Sequence, residues 1–184
     1  LAEDGIETPV GAVRTLCFPV RRAGGRDAGI CEVLLGKKKI GFGRGKYGGA
    51  GGKVEPGESI VAAAVRELRE ETGLLTGPGD LLYVAEVTFE FPYRPAWSQV
   101  VHAFLVERWS GLPLESDEIV PRWFRRDEVP YDQMWQDSRL WLPRVLAGEG
   151  IRARFAYGPH NESLVEASVA LAQLDARSTS EEVR

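Results

Sequence analysis

Apolar positions along the chain follow two periods, and the switches between them mark out the elements. Residues 13–20 and 31–37 are short apolar-rich runs on either side of the turn-rich segment 21–27, which predicts two strands. A stretch with seven glycines between Gly41 and Gly52 reads as a loop. Beyond it Val61, Val65 and Leu68 recur at i, i+4 and i+7, the helical period, so a helix is expected over 59–72, ended by Gly73. Gly77, Pro78 and Gly79 make 76–80 a turn. Residues 82–91 and 100–108 alternate well enough for a strand pair joined by the loop 92–98. A short strand over 121–125, a second helix over 138–147 closing near Gly148, and a final hairpin of 151–157 with 163–169 complete the pattern. Residues 1–10 and 177–184 are mostly polar, and both ends are expected to be loose.

Strands of mixed order with helices packed outside them predict an α/β (α+β) class with a mixed sheet. No internal repeat or long linker divides the chain, so a single domain over 1–184 is expected, with its core at about 11–170. Hydrophobic residues at 43% and charged residues at 27% are ordinary for a folded globular chain. No apolar run approaches the ~20 residues of a membrane span, and the start carries no basic-then-apolar signal. The expected location is therefore the cytoplasm, with no membrane partner. The chain begins with Leu rather than Met, so a few further residues are expected to precede it.

A formal net charge of -4 argues against a binder of duplex nucleic acid, which needs a basic face. A small anionic substrate stays open, because a metal ion can supply the positive charge. Cys17 and Cys31 have no ligand spacing and read as reduced thiols. His102 and His160 are expected to play structural or surface roles.

The informative stretch runs from Gly52 to Leu74. With about 100° of rotation per helical residue, Glu67, Glu70 and Glu71 share one face. Val61, Val65 and Leu68 lie on the adjacent face, which would pack on the sheet and leave the carboxylates open to solvent. Three carboxylates so close repel each other, and two crowd the helix C-terminus, where the dipole disfavours negative charge. A hard divalent cation such as Mg²⁺ would relieve both costs. A merely solvated charged face is the competing reading of the helix alone.

The full spacing separates the two readings. Glycine, five residues, Glu58, seven residues, Arg66-Glu67-Leu68, one residue, Glu70-Glu71, one residue and Gly73-Leu74 resembles the Nudix box at every defined position. The resemblance implies a Nudix fold, with a mixed sheet flanked by the catalytic helix and a C-terminal helix. It also implies hydrolysis of a diphosphate linkage, with Mg²⁺ as cofactor and Mn²⁺ as a substitute. Glu67, Glu70 and Glu71 would carry metal, and one glutamate would activate water. Arg66 would orient Glu58, and the Gly51 or Gly52 carbonyl would complete the metal shell. Metal-activated water needs no histidine.

Gly43-Arg-Gly-Lys-Tyr-Gly48 also spells GxGxxG, but the predicted helix starts about ten residues too late for a dinucleotide fold. Nor does Gly52-Lys53-Val54 complete a P-loop, which needs Ser or Thr after the Lys. Glycine here more plainly lets the backbone pass close to a nucleotide and a metal.

The wider sequence, including 37–53, Phe89-Glu-Phe91, Glu115-Ser-Asp-Glu118, Trp123-Phe124 and Met134 to Pro143, is similar to the MutT-type subfamily that hydrolyses oxidised purine nucleoside triphosphates such as 8-oxo-dGTP. That similarity implies a further metal-site glutamate at Glu118. It implies an aromatic cleft of Phe42, Phe89, Trp135 and Trp141, with Asp137 reading the base and Thr15 at the pocket floor. A purine sandwiched between Trp135 and a Phe is the expected geometry. Lys38, Gly48, Gly52, Lys53 and Ser138 complete the implied substrate site, while Phe91, Trp123 and Phe124 are expected in the core.

Two positions depart from the subfamily pattern: Gly48 stands where it has a base-reading Asn, and Ser138 where it has a second Asp. Base preference is therefore open. The leading expectation is a monomeric pyrophosphohydrolase of oxidised purine (d)NTPs, yielding monophosphate and pyrophosphate. The alternatives are a Nudix diphosphatase of an ordinary NTP, nucleotide sugar or metabolite diphosphate, and a catalytically silent nucleotide-sensing module.

Overall fold

A computed structural model describes residues 11–24, 28–175 and 179–180 of the chain. The polar start at 1–10, part of the turn at 21–27 and most of the tail at 177–184 lie outside the described residues.

The elements in order are β1 (Ala12–Arg22), β2 (Ile30–Lys38), β3 (Tyr47–Gly48), α1 (Ile60–Thr72), β4 (Leu81–Glu90), β5 (Gln99–Val106), β6 (Ile119–Arg125), α2 (Ser138–Leu146), β7 (Ile151–Tyr157) and β8 (Leu164–Leu171). The strands form one mixed sheet in the order β3-β2-β1-β5-β4-β7-β8, with β6 also paired to β2. β1 runs parallel to β5 and β4 parallel to β7, while the other pairs are antiparallel. The expected class holds, and the C-terminal hairpin is β7 with β8. No described helix is long and apolar enough to cross a membrane.

Both faces of the central sheet are covered. One core gathers Phe18, Leu35, Val101, Leu142, Val145 and Phe155 on the α2 side. The other gathers Cys17, Leu34, Leu68, Phe104 and Ile119 on the α1 side. Consecutive residues such as Cys17 and Phe18 therefore face opposite cores, and β1 and β5 read as nearly continuous apolar runs.

Three local features differ from the expectation. β3 interrupts the glycine loop, pairing Tyr47 with Lys37 and Gly48 with Gly36, and two residues are too few to leave a periodic signal. β6 begins at Ile119, before Pro121, which sits opposite Gly36 on β2.

The third difference is the buried stripe of α1. It is Ile60, Ala63, Ala64, Leu68, Glu71 and Thr72, whereas Val61 and Val65 are only partly covered. Small Ala63 and Ala64 let the helix approach the sheet closely, and the stripe carries Glu71 inward with it. The three glutamates thus do not share one open face: Glu71 is 3% exposed, while the Glu70 side chain is 59% exposed.

The helix is capped at both ends. The Ser59 hydroxyl accepts from the Ala62 N–H at 3.2 Å, and Gly73, at φ 74°, donates its N–H to the Arg69 carbonyl.

Leu68 is fully buried at the centre of the α1-side core. Leu68→Ala is expected to cost about 2–5 kcal/mol, read as a lower urea midpoint with an unchanged slope. A loss below about 1 kcal/mol would mean that this side of the helix is not the packed one.

Candidate active site

The site is built where residues 49–54 lie against β1. Thr15 and Cys17 donate their N–H groups to the carbonyls of Gly52 and Ala50 at 2.9 and 2.7 Å, and Val54 donates to Val13 at 3.0 Å. A Cβ on Gly51 would stand 2.0 Å from the Thr15 carbonyl oxygen, so glycine is required there. So held, Gly51 donates its own N–H to the Glu71 carboxylate at 2.8 Å. The Gly52 carbonyl accepts the Thr15 N–H.

Arg66 organises the acids of the helix. Its guanidinium holds Glu58 through two bonds of 2.9 Å, reaches Glu67 at 2.8 Å and Glu70 at 3.1 Å, and donates to the Lys53 carbonyl at 3.1 Å. The hydrogen bonds from Arg66 hold the Glu58 carboxyl below the ordinary carboxylate range. Lys38 plays the matching part on the other side, donating to Glu71 at 2.9 Å and to Glu118 at 3.1 Å. Burial would lower its pKa, but the Glu71 and Glu118 carboxylates together raise it, so the ammonium stays charged. Burial pushes the Glu71 carboxyl upward, against the pull of Lys38 and the Gly51 N–H.

Glu67, Glu70, Glu71, Glu115, Asp117 and Glu118 all line one open concavity, together with Lys39 and Ser116. Apart from Lys39 its polar groups are oxygen donors, the set that suits a hard divalent cation. Among the described residues no group of three acids is drawn together as a ready-made cage. Lys38 and Arg66 instead neutralise the carboxylates as ion pairs.

A second cavity of about 340 Å³ adjoins the first and shares Glu118 with it. Thr15, Lys38, Phe42, Gly48, Gly52, Phe89, Trp135, Asp137, Ser138 and Trp141, all expected at the substrate site, line it, and so does Gly51, expected at the metal. Lys53 does not. Its side chain is exposed outside the cavity, and only its carbonyl is used, by Arg66.

The aromatic residues are arranged differently from a base sandwich. Phe42 stacks directly on Trp135, with ring centroids 5.0 Å apart and planes 17° from parallel, which leaves no gap for a third ring between them. Phe91, expected only in the core, lines the cavity and meets Trp135 edge-on. Trp123 pairs with Trp109 away from the cavity, and Phe124 is buried beside Tyr47.

Asp137 is 2% exposed, and its two oxygens accept from Trp141 Nε1 at 2.8 Å and from the Tyr157 hydroxyl. Burial pushes its carboxyl upward, opposed by those two donors. Thr15, 1% exposed, has a hydroxyl without a hydrogen-bond partner among the described residues. Gly48 needs no glycine for steric reasons, since a Cβ there would meet nothing within 4 Å.

His102 is buried with Nδ1 2.8 Å from the Tyr83 hydroxyl, and His160 is exposed; neither lines the cavity. Cys17 is buried and Cys31 partly so, both as free thiols. The sequence reading missed Tyr157, Met134 and Gln99 as lining residues. Tyr157 and Met134 look like ordinary core apolar positions. Gln99 did carry a signal: it is a polar residue at the head of an otherwise apolar strand.

The profile of the NUDIX domain matches residues 12–145. The chain belongs to the NUDIX family. It is 44% identical over 131 residues to the oxidized purine nucleoside triphosphate hydrolase of Danio rerio, covering 71% of this chain and 81% of that protein. It is 41% identical over 127 residues to the mouse protein of the same name, covering 68% of this chain and 79% of the other. A crystal structure of a MutT protein from Bacillus halodurans has the same fold, with a TM-score of 0.71 and 24% identity over 86% of this chain and 97% of that one. The family's hydrolases generally need a divalent metal, and the oxygen-rich concavity fits that need.

Because the folded-state Asp137 carboxyl is raised above its unfolded value, the native state binds its proton more tightly. That contribution to stability is complete below the unfolded pKa of about 3.9. It is lost as pH rises through the higher folded value. Asp137→Asn removes the titration, so the stability of wild type relative to this variant should fall between pH 4 and pH 7 in denaturant melts. A difference constant with pH would contradict a raised carboxyl.

Proposed function

We propose that this NUDIX hydrolase is a Mg²⁺-dependent nucleoside triphosphate pyrophosphohydrolase acting on oxidised purine nucleotides such as 8-oxo-dGTP. The products would be the monophosphate and pyrophosphate. One observation carries the reading: a largely apolar cavity of base-binding size, rich in aromatic rings, adjoins an oxygen-lined acidic concavity, and Glu118 belongs to both. A base in the first would put its phosphates at the second. The names of the relatives support the choice of base.

In this reading Glu67, Glu70, Glu71, Glu118 and the Gly51 carbonyl would hold Mg²⁺, with Mn²⁺ as a substitute. The bound ion would neutralise phosphate charge and make water easier to deprotonate. One of the glutamates would accept a proton from water. Arg66 keeps Glu58 and the helix acids in place from the other side. Lys38 lines the base cavity while touching Glu71 and Glu118, so its ammonium is placed to turn toward the phosphate chain. The reading also carries the expectation of a cytoplasmic monomer, folded as one domain, whose partners are small nucleotides.

A second reading, a Nudix diphosphatase of another nucleotide or metabolite, is favoured by the open space at Gly48 and by Ser138 in place of a carboxyl. A nucleotide panel with Mg²⁺ separates the two. Turnover of 8-oxo-dGTP well above dGTP is expected, and strong turnover of an unoxidised compound instead would replace the first reading with the second.

Glu70 is the most exposed of the three helix glutamates, so Glu70→Gln should leave thermal stability nearly unchanged. Turnover should nevertheless fall on the order of 10²-fold or more. Full activity would remove this glutamate from the machinery. Lys38→Met takes a competing cation out of the acid cluster. It should tighten Mn²⁺ binding measured by electron paramagnetic resonance while raising the KM for nucleotide. Unchanged or weaker Mn²⁺ binding would show that the ammonium does not compete.

A further inference from the structure

Apart from Arg14, Lys38, Lys46 and Glu118, few polar side chains line the base cavity. Both oxygens of Asp137 accept hydrogen bonds from the protein, and Gly48 contributes no side chain. Thr15 and Ser138 each offer a single hydroxyl. Gln99 differs from all of these. It opens β5, pairs in register with Phe89 of β4 and Ala12 of β1, and is 8% exposed while lining the cavity. Its side-chain amide has no hydrogen-bond partner among the described residues. A ligand that covered this amide without matching its donor and acceptor would strip it of water with no replacement, which is costly. Phe89, its register partner on β4, has no polar side-chain group to pair with it.

We infer that Gln99 is a base-reading, specificity-determining residue of this site, and that it selects purine edges offering one donor beside one acceptor. The inference rests on the proposed nucleotide hydrolase activity and deepens it. A glutamine amide presents a carbonyl acceptor and an N–H donor side by side in one plane. The N7 and O6 atoms of guanine are both acceptors, so only half of that amide is satisfied. Oxidation at C8 places a proton on N7 between two carbonyl oxygens. The edge then shows a donor next to an acceptor, and both halves of the amide pair. Adenine, with its N6 amino group and N7, matches the amide with its donor and acceptor exchanged.

The amide expected at position 48 from family resemblance is missing, and Gln99 brings an amide to the same cavity from β5. Because β5 is an internal strand, paired on both sides, its first residue is held by the sheet rather than by a loop. That rigidity favours a fixed orientation for discrimination.

The test compares kcat/KM for 8-oxo-dGTP and dGTP in wild type, Gln99→Met, which conserves volume, and Gln99→Glu, which keeps shape but removes the donor. The preference for 8-oxo-dGTP should fall at least about fivefold in both variants. The change should appear in KM rather than kcat. In parallel, the relative affinity for 8-oxo-dGMP and dGMP, followed by tryptophan fluorescence without metal, should show the same loss. A preference within twofold of wild type in both folded variants overturns the inference, as does a wild type that binds the two monophosphates equally or not at all. If wild type cleaves no 8-oxopurine triphosphate, the proposed activity falls, while the binding ratio still decides the role of Gln99.

Discussion

The close approach of residues 49–54 to β1 is the constraint on which the site depends. Backbone hydrogen bonds from Thr15 and Cys17 lock this segment to the sheet, and the Thr15 carbonyl stands where a Gly51 side chain would have to be. On its other side a Cβ on Gly52 would stand 2.4 Å from a Glu67 carboxylate oxygen. At Gly51 and Gly52 the segment is bare backbone, and both residues line the aromatic cavity while Gly52 stands against Glu67. A side chain on Gly51 would meet the β1 backbone, and one on Gly52 would displace the Glu67 carboxylate from its present position.

Charge in this region is managed by pairing rather than by exposure. Arg66 gathers Glu58, Glu67 and Glu70, and Lys38 bridges Glu71 and Glu118. Such pairs at the protein surface contribute little to stability. Their value here is positional, because they hold carboxylates that would otherwise repel each other until a stronger cation competes. Glu71 is the exception. It is carried inward by the same stripe that buries Leu68, and burial makes its charge dependent on Lys38 and the Gly51 N–H.

The cavity wall reverses that logic. Apolar rings supply most of the surface, and each polar group among them has a large effect on selectivity because unpaired groups are costly in low-dielectric surroundings. Asp137 is fixed by Trp141 and Tyr157, which come from α2 and β7. Phe42 covers one face of Trp135 from the glycine loop. Gln99, from the head of β5, adds a side-chain amide to the same lining.

The acidic helix and its glycine end were legible in the chain, because they depend on spacings within about fifteen residues, and the Arg66–Glu58 partnership was implied by the resemblance to the Nudix box. So were most strands and the mixed α/β class, since apolar periodicity records which residues must leave water. Which side of α1 turned inward was not, because Ala63 and Ala64 carry little hydrophobic signal yet permit the closest packing. The stacking of Phe42 on Trp135, the placement of Lys38 between two acids and the arrival of Gln99 in the base cavity belong to the tertiary structure alone. Each joins residues tens of positions apart. Such contacts are set by strand order and side-chain packing, which no local pattern in the sequence encodes.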